Sequence, residues 1–133
     1  MITLSENLLR KVLLVDAATC VAAGILMSFG AGLLAGLLVL PSALLFAAGL
    51  ALFPVAAFMA VVALRANLAP GAVWLVVIGN ALWIAGSIWL MTSEQWSPNA
   101  LGLGFIAAQA AAVAVLTFLE YLGVVELGVP AAT

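Results

Sequence analysis

The strongest constraint on this chain is a set of apolar runs, each long enough to cross a bilayer, broken by short polar or turn-forming pieces. A hydrocarbon core of about 30 Å takes roughly 20 apolar residues per helix. The first run follows Arg10 and Lys11 and reaches Leu40 with Asp16 as its one charge. It is long for a single tilted span, Gly30 and Gly32 interrupt it, and Pro41-Ser42 ends it. The spacing therefore predicts a helix over about 11–29 and a short, wholly apolar segment over about 31–39. A second helix is expected over about 42–65, with Pro54 inside it as a candidate kink. The turn at 66–71 leads to a third helix over about 72–91, and the polar loop at 92–98 to a fourth over about 99–122.

The expected fold is all-α: an integral membrane four-helix bundle, one transmembrane domain over residues 1–133. A short interfacial or re-entrant segment joins helices 1 and 2. Lys11 followed by the apolar stretch 12–27 also has the look of a secretory signal, but the run continues well past the length such signals need.

Composition agrees with the spans. Hydrophobic types make up 68% of the 133 residues and charged types 6%, against about 25% charged in soluble domains. The chain has no histidine and one cysteine. A His-ligated metal or haem, a Ser–His–Asp triad and an internal disulfide are thereby excluded. No metal or other cofactor is expected, and no enzymatic nucleophile–base pair stands out. Three cations in the whole chain leave no electrostatic footprint for nucleic acid and no polybasic segment for anionic lipid.

Those three cations are Arg10, Lys11 and Arg65, and all fall at one expected side of the bundle. The positive-inside rule then places both termini and the 66–71 turn in the cytoplasm. Trp74 and Tyr121 fall near that boundary and Trp89 and Trp96 near the opposite one, as interfacial aromatics do; Trp83 falls inside helix 3.

Small residues repeat every four positions in helix 1 (Asp16, Cys20, Gly24, Ser28) and in helix 4 (Ala100, Gly104, Ala108, Ala112). Such stripes let helices approach closely, within a bundle or between protomers, so a homo-oligomer or a larger membrane complex is an open possibility beside the lipid bilayer itself.

The costly residues are few. Asp16 is the formal charge within a span, about 7.5 Å past Lys11 at 1.5 Å per residue. Lys11 is about 140° away around the helix, so Arg65 is the better candidate ion-pair partner. Asn80 lies inside helix 3, with Trp83 and Ser87 on its face; Gln109 and Glu120 share a face of helix 4, with Glu120 at the cytoplasmic boundary. Asp16, Asn80, Gln109 and Glu120 form a candidate intramembrane polar cluster beneath Pro54. Its bland role is interhelical hydrogen bonding; its sharp role is binding a proton or cation during transport.

The run Leu9 to Ala17, the glycines and Leu-Pro pair at 30–41, the Trp74/Asn80/Trp83 spacing, Gln109 and the Leu119-Glu120-Tyr121-Leu122-Gly123 end resemble a group of uncharacterised short bacterial four-span inner-membrane proteins. That resemblance implies a topology and a multi-pass bacterial inner-membrane location, without an activity. In size and in its helix 1 carboxyl the chain is also similar to small multidrug resistance transporters, at the level of architecture. Three functions remain open. The leading one is a non-enzymatic oligomeric scaffold or accessory subunit. The second is a proton-coupled transporter of small molecules or ions, acting as an oligomer through Asp16. A third is lipid or quinone handling near 31–39 and Trp83.

Overall fold

The computed structural model describes residues 5–93 and 97–128. Among these it has five helices and no strand: α1 (Glu6–Phe29), α2 (Ala31–Leu38), α3 (Ser42–Leu64), α4 (Pro70–Thr92) and α5 (Ala100–Gly128). All but α2 are long and apolar enough to cross a membrane. Trp96, expected near the far boundary, lies outside the described residues.

Two helices are longer than the sequence suggests, and both extensions have a tertiary cause. α1 starts at Glu6 rather than near 11: Ser5 caps it, its hydroxyl accepting from the Leu8 N–H at 3.1 Å. The charged Arg10 stays in the helix because its guanidinium is used by α3. It donates to the carbonyls of Ala63 (2.6 Å) and Ala66 (2.9 Å), and to that of Arg65. One side chain thus satisfies the carbonyls that a helix end leaves open. At the other terminus, α5 runs past Gly123 to Gly128 instead of stopping near 122. At Gly123 the helix lies close to Leu9, where a Cβ would come within 2.7 Å of a Leu9 methyl, and the next residue, Val124, is buried.

Between α1 and α3 lies an eight-residue helix, α2. Val39 ends it in the left-handed region (φ 57°, ψ 52°), an uncommon place for a β-branched residue. The loop before α5 holds α2 in place. The Asn99 backbone N–H and side-chain amide donate to the carbonyls of Leu38 (3.3 Å) and Leu37 (2.8 Å), while its Oδ1 accepts from the Gly102 N–H at 2.7 Å. α3 remains helical through Pro54.

α1 packs most extensively on α3, α4 on α5, and α1 also meets α5. The α1–α3 seam is backbone against backbone: a Cβ on Gly49 would lie 2.7 Å from the Ser28 nitrogen and 3.1 Å from the Gly24 carbonyl oxygen. Close approach of this kind is what associates apolar helices in an apolar solvent. α3 and α4, although consecutive, scarcely touch. The order across the bundle is therefore α3, α1, α5, α4, with a cleft between the first and last. Arg10 and Arg65 meet at one end, where the Arg10 guanidinium donates to the Arg65 carbonyl, and Lys11 follows Arg10 in the same helix.

Candidate functional site

Each long helix buries one stripe at helical spacing. In α1 the stripe is Leu9, Val12, Leu13, Asp16, Ala17, Cys20 and Gly24; in α4 it is Val73, Val76, Val77, Asn80 and Ser87. In α5 it includes Ile106, Ala110, Thr117, Glu120 and Val124. Asp16, Asn80 and Glu120 thus occupy positions the 3.6-residue period reserves for the core. Asp16 is 1% exposed and Glu120 0%.

The three side chains meet on one atom. Asn80 Nδ2 donates to Asp16 Oδ2 at 2.9 Å and to Glu120 Oε1 at 3.0 Å. Glu120 Oε2 is enclosed and has no hydrogen-bond partner, and the Cys20 thiol lies 3.9 Å from Asp16 Oδ1. α1, α4 and α5 are tied together at this point. No family model, curated protein or solved structure matches the chain.

Asp16 is ten residues from the start of α1, about 15 Å, and Glu120 is eight residues from the end of α5, about 12 Å.

Arg65 does not serve as the counter-charge. Its backbone carbonyl accepts from Arg10, its side chain is exposed, and it pairs with neither acid. The reason is local. Arg65 ends α3 in extended backbone (ψ 151°), beyond the helix, at the surface. Among the described residues the ion pair is Arg10 with Glu6, at 3.1 Å on the exterior. The buried carboxyls therefore face each other across an amide with no cation in contact. Two ionised carboxylates so placed repel strongly in apolar surroundings; one proton or one small cation removes the conflict. Among the described residues no group of three or more His, Cys, Asp or Glu forms a metal site.

Gln109 stands apart from this cluster. It lies eleven residues before Glu120 on α5, about 16 Å along the axis. There it accepts from the Trp83 indole N–H at 2.6 Å and donates to Ser87 Oγ at 2.9 Å and the Ile106 carbonyl at 2.8 Å. Ser87 in turn donates to the Trp83 carbonyl. The expected four-residue cluster is two clusters, one of acids and one neutral. Trp83 and Ser87, placed by the sequence on the Asn80 face but not in the expected cluster, are the partners of Gln109.

The α3–α4 cleft passes both. A cavity of about 450 Å³ has Pro54, Phe58, Cys20, Asn80 and Trp83 among its walls. Beyond Trp83 a second, of about 260 Å³, reaches Ser87 and Gln109. Pro54, the candidate kink, faces the first of these from within a continuous helix.

Proposed function

We propose that the chain is a multi-pass protein of a bacterial inner membrane with both termini cytoplasmic, acting as a proton-coupled transporter of small molecules or ions. Its proton-binding centre is Asp16–Asn80–Glu120. One observation carries this reading: two fully buried carboxyls share a single amide hydrogen-bond donor and have no cation against them. Ionisable groups inside a membrane are expensive and mark ion or proton paths. A bundle held by packing alone gains nothing from a second acid at this place. Asn80 connects the acids to the cleft, because it bonds to both and also lines the 450 Å³ cavity. Proton arrival or departure thereby changes what an occupant of the cleft meets. The α2 helix, short and apolar, is read as lying at the outer interface, held there by Asn99.

The decisive test has two parts. Infrared difference spectra of the protein in lipid across a pH series are expected to contain a protonated carboxyl band that Glu120→Gln removes. Proteoliposomes are expected to give substrate-driven proton currents that Asp16→Asn abolishes. Absence of that band together with silence across a broad substrate panel would overturn the proposal. For the topology, cysteines introduced by Lys11→Cys and Ser97→Cys in a Cys20→Ser chain are probed with an impermeant maleimide on intact cells. The second is expected to react directly, the first only after permeabilisation.

A second reading, an oligomeric scaffold or accessory subunit, draws on α5. Gly104, Ala108 and Ala112 are exposed there, and a Cβ on Gly104 would meet nothing within 4 Å. A strictly monomeric particle in mild detergent, without co-purifying protein, counts against it.

A further inference from the structure

The α3–α4 cleft has a third compartment at the basic end, and the three together have a direction. This cavity, of about 440 Å³, is walled by Phe58, Val62, Arg65, Asn67 and Ala72 among others. Phe58 also walls the 450 Å³ cavity, and Trp83 walls both that one and the 260 Å³ cavity. The trough therefore runs from Arg65 past Phe58 to Trp83. Its mouth carries an exposed guanidinium that enters no ion pair among the described residues. Its floor is apolar apart from Asn80 and Cys20.

We infer that this trough binds one anionic phospholipid of the cytoplasmic leaflet, its phosphate on Arg65 and Asn67 and one acyl chain laid along α3 and α4 as far as Trp83. Charge and length both select this occupant. The mouth offers a cation and an amide to a phosphate, and the interior offers hydrocarbon to a chain. From Pro70 to Trp83 is thirteen residues of α4, about 20 Å. Half of a bilayer, headgroup region included, is about 20–22 Å, so a phosphate at Arg65 brings the end of its chain to the level of Trp83. The indole, tied to Gln109 at 2.6 Å, marks off the 450 Å³ compartment from the 260 Å³ one beyond it. Gly79 keeps it open, since a Cβ at that position would meet nothing within 4 Å. Recognition rests on one guanidinium at the head of a shaped groove, which is why no basic run in the sequence announces it. The inference rests on the proposed topology, which puts Arg65 at the cytoplasmic face, and needs none of the proton chemistry assigned to the acids.

The test leaves Trp83 as the one indole, by Trp74→Phe, Trp89→Phe and Trp96→Phe in the full chain. The protein is placed in phosphatidylcholine vesicles holding a minor fraction of phosphatidylglycerol, with one or the other lipid brominated on its chains. Brominated phosphatidylglycerol is expected to quench Trp83 about fivefold more per molecule than brominated phosphatidylcholine, the preference that one well-placed Arg confers. Arg65→Gln, an exposed change, is expected to bring the two lipids to parity. Gly79→Leu, which puts a side chain into open space, is expected to lower quenching by both. Equal quenching by the two lipids in the parent protein overturns the inference. So does a preference that survives Arg65→Gln, or quenching untouched by Gly79→Leu. Displacement of the lipid by soluble glycerol phosphate alone also overturns it, since the site would then read a free phosphate.

Discussion

Replacing Asn80 by leucine removes the one donor that both buried acids accept while keeping the branching of the side chain's heavy atoms. Two interhelical hydrogen bonds of 2.9 and 3.0 Å are lost. Within membranes such bonds average about 0.6 kcal/mol and reach about 1.7, so the pair contributes roughly 1–3 kcal/mol. A further cost falls on Glu120. Its Oε2 already lacks a partner, and the substitution leaves Oε1 without its amide too. A stranded buried acceptor costs about 1–3 kcal/mol, more when charged. The expected loss is about 2–6 kcal/mol in reversible unfolding from mixed micelles, followed by tryptophan fluorescence. Glu120→Leu in the same background completes a double-mutant cycle. Once the second acid is gone, Asn80→Leu should cost about 1–2 kcal/mol less, because only the bond to Asp16 remains to be lost. An Asn80→Leu protein within 0.5 kcal/mol of wild type, or a coupling near zero, would refute the shared-donor reasoning.

Three further outcomes are expected. Gly49→Ala forces a methyl to within 2.7 Å of the Ser28 nitrogen, so it should lower stability by about 1–3 kcal/mol in the same assay, while Gly104→Ala, facing open space, should change it by less than about 0.5. Arg10→Lys should cost about 1–3 kcal/mol, since an ammonium lacks the planar fork that reaches three carbonyls of the α3 end, whereas Glu6→Gln, which breaks an ion pair with a half-exposed carboxylate, should be nearly silent. Cys20, buried and against Asp16, should react with N-ethylmaleimide far more slowly in the folded protein than after denaturation, a difference read directly by mass spectrometry.

The four long helices and the break near Gly30 were legible in the sequence because hydropathy and glycine–proline punctuation are local signals. The ends were not, because they depend on distant partners. Arg10 looks like the residue that stops α1 until the α3 carbonyls it serves are in view, and Gly123 looks like the end of α5 until Leu9 is seen against it. The site was half legible. Asp16, Asn80 and Glu120 could be marked as costly, and periodicity placed each on an inward face. Periodicity gives an angle but not a height, which is how Gln109 was grouped with Glu120 despite lying about three turns away. Arg65 was matched to the acids by its end of the bundle alone; Arg10 fills that end and leaves Arg65 outside.

The near absence of contact between α3 and α4 divides the polypeptide into two halves, α1–α2–α3 and α4–α5, joined covalently by the strand of residues at 65–69. Asp16 belongs to the first half, Asn80 and Glu120 to the second. Within the fold the halves meet where α1 and α2 touch α5 and where Asn80 bonds Asp16. A cut between α3 and α4 leaves those contacts in place, so the two pieces, produced together, are expected to co-purify as one bundle.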